Sequence, residues 1–185
     1  MIRLNKYSKS YSNRGMSLES DINVTNDYYK DKGIALIYKK PTPIKTVDVK
    51  FDNAKNACIT KAFFEKPSTT DYNGVYKSKY IDFEAKEVKD KDYFVLSNIH
   101  AHQIQHIVKV KEHGGISFII VRFIKLNKTF LLESEKLEKF INESKRKSIP
   151  ILFFEENGEI IKEGYCPRLD YIKVVDKLIF RSEKE

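Results

Sequence analysis

Tryptophan is absent from this 185-residue chain, and cysteine occurs only twice. Cys58 and Cys166 lie far apart with no CxxC spacing, so neither a disulfide framework nor a zinc ribbon is indicated. No apolar run approaches the ~20 residues of a membrane-spanning helix. The opening Met1-Ile2-Arg3-Leu4-Asn5-Lys6 lacks the apolar centre of a secretory signal, which makes the cytoplasm the expected compartment. No internal repeat and no second core stand out. Acid is missing from residues 1 to 14, where Arg3, Lys6, Lys9 and Arg14 sit among Ser, Asn and Tyr, so residues 1–13 read as a flexible basic arm. What remains, 14–180, reads as a single domain: at 41% hydrophobic and 12% aromatic the chain is too apolar for disorder and long enough to bury a core.

The formal net charge is +8, and its placement is more informative than its size. Residues 30 to 66 carry nine lysines against Asp31, Asp48, Asp52 and Glu65, a further +5. A basic surface suits a polyanion. Lysines on solvated faces need no partner, however, so charge alone favours nucleic acid only modestly.

Periodicity divides the chain into alternating elements. Leu18, Ile22, Thr25 and Tyr29 recur at helical spacing before a stop at Gly33. Ile34 to Tyr38 reads as a buried strand, broken by Pro41 and Pro43. From about 44 to 66 two alternating segments form a two-stranded excursion, too small to be stable alone and expected to lean on DNA or a second subunit. A helix is expected from Ser97, as N-cap, to Glu112, with Gly114-Gly115 ending it and Gln103 on its inward stripe. Strands at 116–123 and 130–132, an amphipathic helix near 134–144, a turn at Asn157-Gly158 and a last helix from about Leu169 complete an α/β sandwich with a mixed central sheet.

The stretch from Ser68 to Lys86 carries the chemistry. At strand period, Ile81, Phe83 and Ala85 face a core, while Asp82, Glu84 and Lys86 face the other way. At ~3.3 Å rise per residue, Glu84 and Lys86 stand roughly 7 Å apart, too far for a tight pair yet close enough to share a small ligand. A solvated edge-strand face is the ordinary reading of such alternation. Against it stands the Thr69-Thr70-Asp71 turn, which can fold a second oxygen ligand toward Glu84. Few carboxylates, some neutral oxygens and room for water suit magnesium, and a lysine beside them suits phosphodiester hydrolysis. His102 and His106, at i and i+4, invite a zinc reading, but no Glu follows the first His in the HExxH manner, and a basic helix face toward phosphate explains them with His100. Glu19 is more simply a surface partner than a further acid.

Asp-x12-Glu-x-Lys is the pattern of PD-(D/E)XK nucleases, with Thr70 where a proline usually precedes the acid. Its surroundings are more specific: Asn13 to Glu19, Thr25 to Tyr29, Lys39-Lys40-Pro41-Thr42-Pro43-Ile44, Ser68 to Tyr76, Tyr80 to Glu87, and His102 to His106. In that order and spacing, over roughly residues 13 to 175, the chain closely resembles the RecU family of Holliday-junction resolvases. The resemblance implies a restriction-endonuclease-like α/β sandwich with helices flanking a mixed sheet and a projecting two-stranded stalk over the junction centre of a homodimer. It implies Mg²⁺, with Mn²⁺ as substitute, held by Thr69, Asp71, Glu84 and Gln103, and catalysis by Asp71, Glu84 and Lys86, with Lys86 stabilising the transition state. Attack would leave a 5′-phosphate, two symmetric nicks resolving a four-way junction in recombination and repair. Expected DNA contacts are Arg14, Lys39, Lys40, Lys45 and Lys61, with Phe63 and Phe64 near the crossover. Where the family carries a proline and an arginine entering the stalk, this chain has Asp52 and Ala54, with Lys55 adjacent. The strand-exchange recombinase and the branch-migration helicase are implied partners. Two other readings stand beside it: a non-cleaving junction binder that regulates the recombinase, and a restriction-type or repair endonuclease on duplex DNA. Intact Asp71, Glu84 and Lys86 argue against the first, and the Pro-Thr-Pro stalk entry against the second.

Overall fold

The computed structural model describes residues 17–53, 56–65 and 69–182. The first helix, α1 (Leu18–Asp31), begins where the Ser17 hydroxyl accepts the Ser20 N–H at 3.2 Å, with Glu19 and Asp21 in its positive first turn. It ends before Gly33, whose φ of 64° is the left-handed geometry that closes helices. Leu18, Ile22, Thr25 and Tyr29 are buried, as their spacing requires.

Five strands and a short sixth build the main sheet. They are β1 (Leu36–Lys39), β4 (Tyr72–Tyr76), β5 (Lys79–Val88), β7 (Ile116–Phe123), β8 (Lys128–Glu133) and β10 (Glu159–Ile160), in that spatial order. Only the β5–β7 pair is parallel, because α2 (Ala101–Glu112) carries the chain back between them; the sheet is therefore mixed, as expected. On one face, α1 and α5 (Tyr171–Ser182) cover Ile81, Phe83, Phe118 and Ile120. On the other, α2, α3 (Ser134–Glu143) and α4 (Ile151–Asn157) cover Ile119, Val121, Phe130 and Leu132. Phe83 stacks between Tyr72 at 4.9 Å and Phe118 at 4.8 Å between ring centres, so truncating it to alanine should cost about 3–5 kcal/mol. A small pair, β6 (Tyr93–Val95) with β9 (Ser148–Pro150), closes the second face.

Two expectations are corrected. The strand expected at 34–38 forms at Leu36–Lys39 and is an edge strand with one buried face: Ile37 is enclosed while Leu36 and Tyr38 are about half exposed, because β1 has a neighbour on one side only. Helix α2 starts at Ala101 with His100 as N-cap, since Leu96–Asn98 forms a separate 3₁₀ turn and Gln103 bonds back to the His100 backbone in a capping box.

The excursion forms as expected. Strands β2 (Ile44–Asn53) and β3 (Asn56–Phe64) pair only with each other, and every residue of β3 is exposed. Pro43 and Glu65 close its base through a 3.0 Å backbone bond. Phe51, Phe63 and Phe64 are 72%, 57% and 81% exposed, an apolar surface without a partner in the single chain.

Arg122 on β7 is buried and pairs with Asp21 at 2.8 Å and Glu163 at 3.0 Å, with Glu87 3.8 Å away. This cluster ties α1 to β7 and to Glu87 of β5, on the face of the sheet opposite Glu84.

Candidate active site

Antiparallel pairing delivers Asp71 to Glu84. Tyr72 sits opposite Phe83, so the residue before Tyr72 falls beside the residue after Phe83. The Asp71 N–H donates to Glu84 Oε2 at 3.0 Å. Lys86, two positions along the same face, returns its ammonium to Glu84 Oε1 in a close ion pair and lies 3.9 Å from Asp71 Oδ2. The expectation that Glu84 and Lys86 stand too far apart to pair is corrected: the ~7 Å is a backbone spacing, and the four methylenes of lysine span it.

Gln103 comes from α2, which lies across this face of β5. It is 3% exposed. Its Oε1 accepts the His100 N–H at 3.0 Å, and its Nε2 reaches the Thr69 carbonyl at 3.5 Å. The four residues expected to hold a metal are thus linked in two contacts, Asp71 with Glu84 and Thr69 with Gln103.

Burial governs the electrostatics. The Glu84 side chain is fully enclosed, and burial pushes its carboxyl up to about 7; the charge of Asp71 adds to the rise and Lys86 opposes it. Among the described residues, the Lys86 ammonium is the partner of the buried Glu84 Oε1. Two carboxylates that converge on one positive charge, one of them fully enclosed, fit a hard divalent cation that keeps several waters. Among the described residues no three His, Cys, Asp or Glu side chains gather as a protein-only cage.

Asp82, two positions before Glu84, belongs to the same face and is also fully buried. Its Oδ2 accepts Lys40 Nζ at 2.8 Å and the Tyr80 hydroxyl at 2.8 Å, and faces His106 Nε2 at 3.2 Å; its Oδ1 accepts the Thr70 hydroxyl. Burial alone would raise its pKa, but the bonds from Lys40, Thr70 and Tyr80 outweigh it and hold the carboxyl below its usual range. Sequence reasoning placed Asp82 on a charged face without seeing this network, because Lys40 comes from the residue after β1, Thr70 from the turn before β4 and His106 from α2, with Tyr80 alone on β5.

The expected DNA contacts divide. Lys45 and Lys61 are exposed on the hairpin, and Lys61 lies 5.7 Å from the centre of the Phe63 ring. Lys39 pairs with Glu19 at 2.6 Å on the surface. Lys40 turns inward to Asp82 and Thr70, so its charge is spent inside the protein. His106 likewise points to Asp82, and the His100 and His102 rings stack at 5.3 Å. Arg14, Ala54 and Lys55, and the side chain of Asp52, lie outside the described residues.

Asp71 from the turn before β4 meets Glu84 and Lys86 of the central strand β5, which is the acid, acid and lysine of the PD-(D/E)XK nuclease pattern. The family model for RecU, Recombination protein U, matches residues 13–177, and the chain belongs to that family. It is 54% identical over 173 residues to the Holliday junction resolvase RecU of Geobacillus kaustophilus, covering 92% of this chain and 86% of that protein. It is 48% identical over 174 residues to the protein of the same name in Bacillus mycoides, covering 92% and 87%. Among solved structures, Archaeoglobus fulgidus Hjc, a Holliday junction resolvase, aligns with a TM-score of 0.42 at 11% identity, over 74% of this chain and 93% of that one.

Proposed function

We propose that this protein is a divalent-metal-dependent endonuclease that resolves four-way DNA junctions by symmetric nicks in opposing strands. The observation that carries the reading is the convergence of Asp71, Glu84 and Lys86 across the β4–β5 pair. Asp71 and Glu84, with oxygens of Thr69 and Gln103, would hold Mg²⁺, or Mn²⁺ in its place. Such an ion supplies charge stabilisation at the phosphoryl oxygens and a more acidic water.

The chain's own groups do the rest. Lys86 is 28% exposed at the mouth of the site, so its ammonium can leave Glu84 for the attacking water and for charge developing on phosphorus. Water adds to phosphorus, the 3′-oxygen leaves and takes a proton, and the 5′-phosphate remains. No covalent enzyme intermediate is required. Two copies related by a two-fold axis would place one such site on each of two strands, with the exposed hairpin of each copy reaching the branch point. The bare Phe51, Phe63 and Phe64 surface and exposed Lys45 and Lys61 support that placement. Action would be cytoplasmic, alongside the strand-exchange recombinase and the branch-migration helicase. Among the described residues no helix is long and apolar enough to cross a membrane.

The test is cleavage of a synthetic four-way junction and a matched linear duplex, each with Mg²⁺ and with chelator, by the parent and by Glu84→Gln. Paired nicks in the junction alone, metal-dependent and lost in the variant, are expected. Binding without cutting under all conditions would leave a junction-binding regulator, and equal cutting of linear duplex would leave a general nuclease.

A further inference from the structure

Asp82 is the most heavily bonded carboxylate of the described residues, yet none of the chemistry above uses it. A buried acid that accepts from four side chains on four different segments is costly to build and constrains all four. Thr70 Oγ1 bonds its Oδ1 from between Thr69 and Asp71. Lys40 bonds its Oδ2 at 2.8 Å and Thr70 Oγ1 at 3.0 Å, while its own backbone N–H donates to the Asp71 carbonyl at 2.8 Å. His106, which faces Oδ2 at 3.2 Å, stands one turn beyond Gln103 on α2. Tyr80 bonds it at 2.8 Å and is in turn reached by Asn73 Nδ2 at 3.3 Å, fixing β4 against β5.

The consequence is geometric. Each of the four proposed metal-holding residues lies within three positions of Asp82 or of a residue bonded to it: Thr69 and Asp71 flank Thr70, Glu84 follows Asp82 by two, and Gln103 precedes His106 by three. Among the described residues, one direct hydrogen bond between segments, from Asp71 N–H to Glu84, and one long one, from Gln103 to Thr69, join those residues to one another. Beyond the β4–β5 ladder, which sets Asp71 beside Glu84, side-chain restraint among these segments passes through Asp82.

We propose that Asp82 is the positioning residue of the site, a buried anchor that sets the mutual placement of the Thr69–Asp71 turn, Glu84 and the N-terminal turn of α2, with Lys40 and His106 as its struts. This rests on the metal-dependent nuclease reading. Partners that orient metal-holding side chains commonly change metal affinity by about 10- to 100-fold when removed. Lys40 is accordingly a structural lysine, and its loss should act through metal affinity and leave junction affinity in chelator unchanged.

Three variants test this: Asp82→Asn, Lys40→Met with Asp82→Asn, and His106→Gln at the partly exposed end of the network. Mn²⁺ affinity is measured by calorimetry on the free protein, junction affinity in chelator by gel shift, cleavage rate at saturating junction, and thermal midpoint by circular dichroism. Asp82→Asn should bind Mn²⁺ about 10-fold or more weakly and cleave correspondingly slower, with junction affinity unchanged within about two-fold. The double variant, which removes the stranded ammonium, should regain thermal midpoint while Mn²⁺ affinity stays low. His106→Gln should fold normally and weaken Mn²⁺ binding several-fold. Unchanged Mn²⁺ affinity in His106→Gln, or a double variant that regains affinity together with stability, overturns the proposal. Should Asp82→Asn not fold, the other two variants decide. A parent that binds Mn²⁺ at this site but cuts nothing overturns the nuclease reading and leaves the positioning role standing.

Discussion

Replacing Glu84 with glutamine should abolish cleavage and, in chelator, make the protein more stable. The carboxyl is fully enclosed and its pKa stands at about 7 against an ordinary 4.5. A carboxyl raised in the folded state holds more protons folded than unfolded. Its contribution to stability is therefore greatest below pH about 4.5 and is lost as pH rises through about 7. At ~1.36 kcal/mol per unit, 7 − 4.5 corresponds to a loss on the order of 3 kcal/mol by pH 8. Glutamine keeps the shape and carries no charge, so it escapes this loss. The substitution also strands Lys86, but that ammonium is 28% exposed and keeps Asp71 at 3.9 Å, so the offset should be roughly 1 kcal/mol or less. A net gain of about 2 kcal/mol at pH 8 is expected from these two opposing contributions. Urea titrations of parent and variant in chelator, from pH about 4.5 to 8.5, should show curves that converge in acid and separate in base. Adding Mg²⁺ should stabilise the parent alone and close the gap, since only the parent binds the ion and binding to the folded state adds stability. Parallel pH profiles, or a variant less stable than the parent at pH 8 without metal, would refute the account of Glu84 as a stranded carboxylate waiting for a cation.

Three further outcomes follow from the same geometry. Lys86→Met should lower the cleavage rate by about 10²- to 10³-fold at saturating junction, while gel-shift affinity in chelator changes little, because the ammonium acts on charge that develops during reaction. Substituting Lys45 and Lys61 by Gln should each flatten the dependence of log K on log salt by up to about 0.9, measured by junction binding over a salt series; the same change at Lys40 should leave the slope alone, since that charge is held by Asp82. Gly74→Ala should cost at least about 2 kcal/mol in urea unfolding, because the added methyl would stand 2.1 Å from the Leu36 carbonyl and 2.6 Å from Ile37 Cα, and backbone must move to admit it.

The legible parts of this molecule were those fixed by short-range order. The period of 2 in Ile81 to Lys86 put Asp82, Glu84 and Lys86 on one side, and the period of α1 gave its buried stripe, because each depends only on neighbours along the chain. What covers a face depends on elements far away in sequence. The same alternation that reads as a solvated edge describes a central strand once β4 and β7 flank it and α2 lies across it, and then the two acids are enclosed. Arg122 shows the limit from the other direction: in Ile116 to Phe123 it interrupts an apolar run, and Asp21, Glu87 and Glu163 arrive from three other segments to meet its charge while the Thr129 hydroxyl accepts its Nε–H. The family motif names Asp71, Glu84 and Lys86, but Asp82 and Lys40 draw their significance from the way β1, the turn, β5 and α2 meet. A lysine in the basic Lys39-Lys40-Pro41 entry to the hairpin looks like a phosphate contact until the fold turns it inward, and the salt slope of Lys40 against that of Lys45 separates those two fates in one experiment.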